Sequence, residues 1–186
     1  MTIVLPEDEI GLTAKGVRID GDPGADAALE QLYEEHYVRL VRLAVLLLGD
    51  VGRAEEVVQD SFVAIYQRWD RLDVLDVPAY LRQTVVNRSR SVLRHQRVVA
   101  LHPSEVPPDE PGADHDLLRG VRRTAVIEAL SRLPRRQREV LALRYYLDLS
   151  EREIAETLRI SQGAVKSHAS RGAAALRRHP SLREDA

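Results

Sequence analysis

Two helix-start signals close together near the carboxyl end constrain this sequence more than any other feature. Ser150 followed by Glu153 is a capping-box pattern. The apolar stripe that follows at helical spacing consists of Ile154, Ala155 and Leu158. Ser161 then offers an N-cap for a second helix that we expect to run to about Arg178. The stretch therefore predicts a helix-turn-helix, a unit found in DNA-binding proteins and also in ordinary helical bundles.

The second helix of this pair has two chemically different faces. The residues expected to pack inward are Val165, Ala169, Gly172 and Leu176. The residues expected to face outward, as candidates for DNA contact, are Ala164, Lys166, Ser167, His168, Ser170, Arg171 and Arg178. Small residues allow close approach to a DNA groove, and long basic ones reach phosphates or base edges.

The formal net charge of −2 hides a strong segregation of charge along the chain. Leu117–Pro180 carries a net charge of +8, whereas Val99–Asp116 carries −5. Pro78–Val98 contains five arginines and no acid. Because binding depends on the local field, two basic surfaces in one small protein favour a nucleic-acid partner.

Composition excludes several other classes of protein. The chain has no cysteine, which excludes disulfides and zinc–cysteine sites and permits a reducing cytoplasm. The apolar run Leu40–Leu48 is too short to span a bilayer, and the acidic amino terminus lacks a signal-peptide core. We therefore expect a cytoplasmic protein with no membrane insertion.

Alanine, leucine, valine, arginine and glutamate dominate the composition and favour helices over sheets. The predicted fold class is all-α, with two small helical domains joined by a flexible linker. The predicted segments are a disordered acidic tail over 1–28, a first domain over 29–98, an acidic, proline-rich linker over 99–116, a second domain over 117–180 and a short tail over 181–186. The predicted helices before the helix-turn-helix are Leu29–Leu48, Ala54–Trp69, Pro78–Arg97, Leu118–Leu133 and Pro134–Tyr146.

The order and spacing of these segments resemble the extracytoplasmic-function sigma factors, a two-domain group of the sigma-70 family of bacterial RNA polymerase subunits, in their actinobacterial form. Ala54–Trp69 resembles region 2.2 of that family, Pro78–Arg97 resembles regions 2.3 and 2.4, and Leu133–Arg178 resembles region 4. The resemblance covers about Leu29–Pro180.

The resemblance implies three interaction surfaces. The first domain would dock on core RNA polymerase through Glu56, Val57, Gln59, Asp60 and Phe62, although Val57 and Phe62 equally suit a purely structural role in the core. It would read the −10 promoter element as single-stranded DNA through Arg82, Asn87, Arg88, Arg90, Arg94 and Arg97. The second domain would read the −35 element as duplex DNA through the outward-facing residues given above.

One departure from the family pattern affects the −35 surface. His168 stands where arginine is frequent in the family, and a neutral imidazole lacks the bidentate grip that arginine has on guanine. The resemblance also brings in an anti-sigma factor as a candidate partner, and nothing in the sequence identifies one. The acidic linker suits either a path through polymerase that mimics nucleic acid or a plain solvated tether.

The alternatives to a sigma factor are a stand-alone DNA-binding regulator and an enzyme. A stand-alone helix-turn-helix regulator that binds duplex operator DNA would explain Leu133–Arg178 but would leave Ala54–Arg97 without a purpose. An enzyme is disfavoured, because the sequence has no glycine-rich phosphate loop, no nucleophile signature and no paired-carboxylate site. We therefore predict no catalytic residues, no cofactor and no metal site; the histidines show no metal-ligand spacing.

Overall fold

The computed structural model describes residues 23–69, 76–101 and 121–180, and every regular element in these ranges is helical. The α-helices are α1 (Pro23–Leu48), α2 (Val51–Tyr66), α3 (Val77–Leu101), α4 (Val121–Ser131), α5 (Arg135–Leu141), α6 (Glu151–Leu158) and α7 (Gln162–Arg177). A π-helical turn over Ala142–Tyr146 continues α5. The predicted all-α class is therefore confirmed for the described part of the chain.

The junction between α1 and α2 combines a left-handed glycine with a helix N-cap. Gly49 adopts a φ of 77°, and its N–H donates to the carbonyl of Val45 at 2.8 Å. Glycine favours this left-handed conformation because it has no Cβ to clash. Asp50 then caps α2 by accepting a hydrogen bond from the N–H of Arg53 at 2.8 Å. The turn sends α2 back along α1.

Three helices extend beyond a predicted end. α2 begins at Val51, before the predicted start at Ala54, and it ends at Tyr66, short of the predicted end at Trp69. α1 begins at Pro23, so residues 23–28 belong to a helix and not to the predicted tail. A proline at the first helical position, an acid at Asp26 and three alanines explain this early start. α3 continues to Leu101, past the predicted start of the linker. Residues 1–22, 70–75, 102–120 and 181–186 lie outside the described ranges, and with them most of the predicted tail and linker.

The first domain is a three-helix packing of α1, α2 and α3. Its fully buried side chains include Leu43 of α1, Val58 and Ile65 of α2, and Leu81 and Val85 of α3. Two buried serines satisfy their hydroxyls within their own helices: Ser61 donates to the carbonyl of Val57 at 2.7 Å, and Ser89 donates to that of Val85 at 2.9 Å. Both buried serines of the described first-domain core are therefore hydrogen-bonded.

The helix-turn-helix forms as its two cap signals predict. Ser150 and Glu153 make a complete capping box at the start of α6, and Ser161 caps α7 through the N–H of Ala164 at 3.1 Å. α6 ends at Arg159, which adopts a left-handed conformation with a φ of 54°. That conformation is uncommon for a residue with a side chain, and it makes the sharp turn between the two helices.

The two domains pack on each other, which the sequence did not predict. A single apolar cluster contains side chains of both, such as Leu43 and Leu47 of α1 with Val140 of α5 and Leu143 of the π-helical turn. Gly49 lies 4.0 Å from the side chain of Ile127 on α4, measured from an ideal Cβ position. α3 lies against α6 of the helix-turn-helix, where the Gln83 side chain donates to the carbonyls of Glu156 and Thr157, both at 3.4 Å. None of the helices in the described ranges combines the length and the hydropathy needed to span a lipid bilayer.

Candidate nucleic-acid interface

The outward face of α7 is built as the sequence predicts. Val165, Ala169 and Gly172 are buried against the rest of the second domain, and Leu176 is partly buried. The side chains left exposed include most of the predicted DNA contacts: Lys166, Ser167, Ser170, Arg171 and Arg178. Ala164 and His168 are partly buried at the edges of this face. The helix therefore has an exposed polar and basic face and a buried face that packs against the rest of the second domain.

Local contacts hold the basic side chains of this face without neutralising most of them. The Nε atoms of Arg171 and Arg178 donate to backbone carbonyls one turn earlier, those of Ser167 and Ala174, at 3.2 and 3.1 Å. The Lys166 ammonium lies 3.6 Å from the Glu151 carboxylate, yet the lysine side chain is still 68% exposed. These cations are positioned and remain accessible to a polyanion.

His168 departs from this pattern. Its ring is partly buried, and within the described residues its Nδ1 has no hydrogen-bond partner. The Nδ1 edge of the ring therefore faces the protein, which leaves less of the ring available to contact DNA. The longer side chain of an arginine in this position would extend further, so the histidine reaches less far towards DNA than the residue that is frequent in the family.

The arginines of α3 differ widely in their surroundings. Asn87, Arg94 and Arg97 are exposed, and the side-chain carbonyl of Asn87 accepts from Arg90 Nη1 at 3.0 Å. Arg82 is partly buried, and burial lowers the pKa of its guanidinium. Within the described residues its Nε has no hydrogen-bond partner. It lines a cleft of about 80 Å³ between the domains, together with His36 and Arg39.

The two remaining arginines of α3 are occupied by carboxylates. Arg88 Nη1 lies 2.9 Å from Asp60 on α2, which joins two of the predicted surfaces by an ion pair. Arg90 donates from Nε and Nη2 to both oxygens of Glu139 on α5, at 2.8 and 2.9 Å. The structure thus brings the predicted −10 set together along α3, but it leaves only part of that set open.

The predicted polymerase-docking residues of α2 lie on two sides of the helix. Glu56, Gln59 and Asp60 are exposed, whereas Val57 and Phe62 are 3% and 5% exposed. The Phe62 ring centroid lies 5.1 Å from that of Tyr33 on α1. The two buried side chains therefore form the base on which the exposed polar face rests.

An aromatic cluster supports this base. The rings of Tyr33 and Tyr37 stack at 4.4 Å, and Phe62 is tilted against both. Burial of the hydroxyl, reinforced by the nearby Tyr33, raises the pKa of Tyr37 to about 12, and a hydrogen bond with Gln59 opposes that rise. The cluster packs α1 against the side of α2 that carries Phe62.

Sequence reasoning missed the residues that join the domains. They include Arg39, which donates to the carbonyl of Leu147 at 3.1 Å, Arg138, which donates to that of Leu47 at 2.6 Å, and Glu139, which accepts from Arg90. Each contact spans 49 residues or more. A partial signal existed: Glu139 is the one acid among Arg135, Arg136 and Arg138. In the described part of the chain no group of three metal-ligating side chains comes together.

Comparisons with known families agree with this geometry. The Sigma-70 region 2 family matches residues 32–98, and the Sigma-70, region 4 family matches residues 123–176. The chain is 33% identical to the ECF RNA polymerase sigma factor SigL of Mycobacterium tuberculosis over 172 residues, which cover 86% of this chain and 93% of SigL. It is also 33% identical to the RNA polymerase sigma-E factor of Streptomyces avermitilis, with coverage of 80% and 85%.

Solved structures give the same result for the fold. CnrH, in complex with the cytosolic domain of CnrY, superposes with a TM-score of 0.64 at 26% identity, covering 87% of this chain and 91% of CnrH. The sigma factor RpoE of Bartonella quintana, in complex with the anti-sigma factor NepR, superposes with a TM-score of 0.66 at 22% identity, covering 86% and 99%. The chain described above belongs to the extracytoplasmic-function sigma factors of the sigma-70 family.

Proposed function

We propose that this chain directs promoter-specific initiation by docking on core RNA polymerase through α2 while α3 and α7 hold two elements of the promoter. The observation that carries the proposal is the exposed basic face of α7, backed by buried Val165, Ala169 and Gly172. Such a helix suits the major groove of duplex DNA at −35. The proposed site of action is the cytoplasm, because polymerase and promoter DNA are there.

For the −35 element, we assign contact to Ala164, Lys166, Ser167, His168, Ser170, Arg171 and Arg178. Exposure of Arg171 and Arg178, with their guanidinium groups held along the helix, supports this assignment. The partly buried ring of His168 supports a smaller role for that residue than an arginine would have. We therefore expect base preference at its position to be weak.

For the −10 element, we assign contact with single-stranded DNA to Arg82, Asn87, Arg88, Arg90, Arg94 and Arg97. Arginines along one helix follow a phosphate backbone, and an amide can pair with the edge of an unstacked base. Preferential binding of an open strand would shift the promoter towards the melted state. The proposal needs no covalent step by this chain and no cofactor.

For core polymerase, we assign the docking surface to Glu56, Gln59 and Asp60, with Val57 and Phe62 as the buried support. Exposure of the three polar side chains and the ion pair between Asp60 and Arg88 support this assignment. The pair also means that a partner which engages Asp60 would release Arg88 for DNA. An anti-sigma factor is the second proposed partner, because the sigma factor RpoE of Bartonella quintana, which has a similar fold, is bound to the anti-sigma factor NepR in its solved structure.

The decisive test is transcription with purified core polymerase. The chain should co-elute with core enzyme, and the mixture should start transcripts at mapped sites that neither component starts alone. A stand-alone regulator would instead protect duplex DNA from cleavage without polymerase and would not co-elute with it. That second outcome would replace the proposal with its alternative.

A charge-reversal pair tests the docking surface. Asp60→Arg should reduce co-elution with core polymerase, because it places a cation where the partner's cations are expected. Glu128→Arg makes the same charge change on α4, where the wild-type glutamate pairs with Arg132 at 2.6 Å, and it should leave co-elution unchanged. Because Asp60→Arg also repels Arg88, Glu56→Arg is the second variant. Unaltered co-elution of both α2 variants would reject this surface.

A further inference from the structure

One buried carboxylate connects the two domains. The Glu139 side chain on α5 is 3% exposed, and it lies within ion-pair distance of three arginines. Arg90 of α3 binds it through two hydrogen bonds at 2.8 and 2.9 Å, while Arg136 lies at 3.0 Å and Arg135 at 3.6 Å. Arg135 and Arg136 belong to the same helix as Glu139, so only Arg90 comes from the other domain.

The geometry of the Arg90–Glu139 contact matters as much as its burial. Two parallel N–H groups of one guanidinium meet two oxygens of one anion, which is also how arginine binds a phosphate group. The Arg90 side chain is 18% exposed in this arrangement. An anion on DNA could engage these N–H groups only after the carboxylate had left them.

We infer that Glu139 is an internal competitor of nucleic acid for Arg90, so that the free chain is closed over part of its −10 surface while its −35 surface stays open. The inference rests on the proposed function of α3 as the reader of single-stranded DNA. It adds a competing anion within the chain, and it makes separation of the domains a step that precedes or accompanies −10 binding.

Other contacts across the interface between the two domains, called the seam below, hold the closed arrangement. Arg39 of α1 donates to the carbonyl of Leu147, and Gln83 of α3 donates to the carbonyls of Glu156 and Thr157, both at 3.4 Å. The apolar cluster shared by both domains adds hydrophobic burial to these bonds. Closure therefore does not depend on one ion pair alone, although Glu139 is the contact that covers a predicted DNA-binding side chain.

The seam also contains partly buried guanidinium groups, whose burial is energetically unfavourable. Burial lowers the pKa of the Arg82 and Arg138 guanidinium groups, although nearby carboxylates, Asp76 and Glu153 for Arg82 and Glu139 for Arg138, act against that lowering. The two guanidinium groups are thus held in partly desolvated positions, which costs free energy that the nearby carboxylates offset only in part. A polyanion that bound α3 would favour the open arrangement for this reason as well.

Closure covers part of the −10 surface but leaves the −35 surface on α7 exposed. The Lys166 side chain is 68% exposed, against 18% for Arg90. The free chain should accordingly bind duplex DNA through α7 much as it does when open. Its affinity for single-stranded DNA should rise when the domains separate.

The chain itself offers a clean way to measure closure. It has no cysteine, so a spin-label pair can be placed by Val63→Cys on α2 and Tyr145→Cys on the π-helical turn, where the wild-type side chains are 54% and 70% exposed. Double electron–electron resonance on the full chain should give one narrow distance distribution. Glu139→Gln keeps the size of the side chain and removes its charge, and it should broaden and lengthen that distribution.

Two further variants make the test specific. Arg39→Ala removes a contact elsewhere in the seam, outside every predicted DNA or polymerase surface, and should also lengthen the distance. Glu128→Gln removes an exposed charge of the second domain and should leave it unchanged. If Glu139→Gln proves unfolded by circular dichroism, Arg39→Ala alone decides the outcome.

A binding measurement completes the test. Fluorescence anisotropy would follow a randomised single strand of about 12 nucleotides and a randomised duplex, each labelled with fluorescein. Glu139→Gln and Arg39→Ala, the two opening variants, should each bind the single strand with an affinity at least about 5-fold higher than that of the wild type. Their affinity for the duplex should change little. Glu128→Gln should match the wild type on both probes.

Three results would overturn the inference. They are a broad distance distribution in the wild-type chain, unchanged distances in the opening variants, and longer distances without any gain in single-strand affinity. Closure is scored on the chain alone, whereas the proposed function is scored by co-elution with core polymerase. A chain that opens as expected but ignores core polymerase would refute the proposed function and leave closure standing.

Discussion

Gly172 of α7 lies so close to Leu141 of α5 that a methyl group on Gly172 would come within 2.8 Å of Leu141 Cδ1. The same methyl group would lie 3.2 Å from the Cβ of Gln137. Leu141 is 3% exposed and packs with Leu130 and Leu133, so it has little room to move. The absence of a side chain at Gly172 therefore sets how closely α7 approaches α5, and with it the position of the DNA-facing side of α7.

Gly172→Ala should destabilise the protein. Alanine in a helix gains about 1 kcal/mol over glycine, but overpacking a filled core costs about 1–3 kcal/mol. We expect the free energy of unfolding to fall by about 1 kcal/mol, the middle of the net range of about 0–2 kcal/mol, measured by urea denaturation with circular dichroism. Gly163→Ala is the matched control, because its nearest neighbour is 3.9 Å away in the first turn of the same helix. A Gly172→Ala variant as stable as that control would disprove the close approach.

The capping box at the start of α6 predicts a pH dependence. Hydrogen bonds from the hydroxyl and N–H of Ser150 hold the pKa of Glu153 below its ordinary value of 4.5. A lowered folded-state pKa means that the ionised carboxylate stabilises the fold above pH 4.5, and that this contribution is lost as the pH falls through the lower value. Glu153→Gln should therefore be less stable than the wild type near pH 7, with the difference shrinking in acid.

The control for this pH dependence is Glu156→Gln, on the same helix. The Glu156 side chain is 66% exposed and pairs only loosely with Arg152, at 3.7 Å. Its substitution should change the free energy of unfolding by a small amount at every pH. If Glu153→Gln and Glu156→Gln gave parallel curves of stability against pH, the capping box would have no special electrostatic role.

The local features of this fold could be predicted from sequence, and the distant ones could not. Ser150 and Ser161 bind backbone N–H groups three residues away, so a short window contains the whole interaction. Arg90 and Glu139 are 49 residues apart, and no periodic pattern relates them. Phe62 illustrates the intermediate case: its place in an apolar stripe was evident, but its burial beneath Tyr33 depends on how α1 crosses α2.

Tyr37 should ionise late in an alkaline titration. Its pKa of about 12 predicts a phase in the phenolate absorbance that Tyr37→Phe removes, and that Tyr145→Phe, which alters an exposed ring, leaves in place. Because the folded-state pKa is raised, the neutral hydroxyl contributes stability below the ordinary value of 10, and this is lost as the pH rises towards 12. A Tyr37→Phe titration identical to that of the wild type would contradict the burial of this hydroxyl.

Arg171→Ala tests the face of α7 directly. Arg171 is exposed and its Nε is held by the carbonyl of Ser167, so its remaining N–H groups are available to a phosphate or a base edge. Removing one such contact should weaken binding of the −35 element by about 1–3 kcal/mol. Arg152→Ala is the control, since the Arg152 side chain on α6 is 76% exposed and carries the same charge. Competition assays with holoenzyme on mapped promoters, in which the −35 element is intact or scrambled, would measure both variants. A loss for Arg171→Ala on the intact element alone would support sequence recognition by this face, whereas equal losses for the two variants would reduce its role to general attraction of DNA.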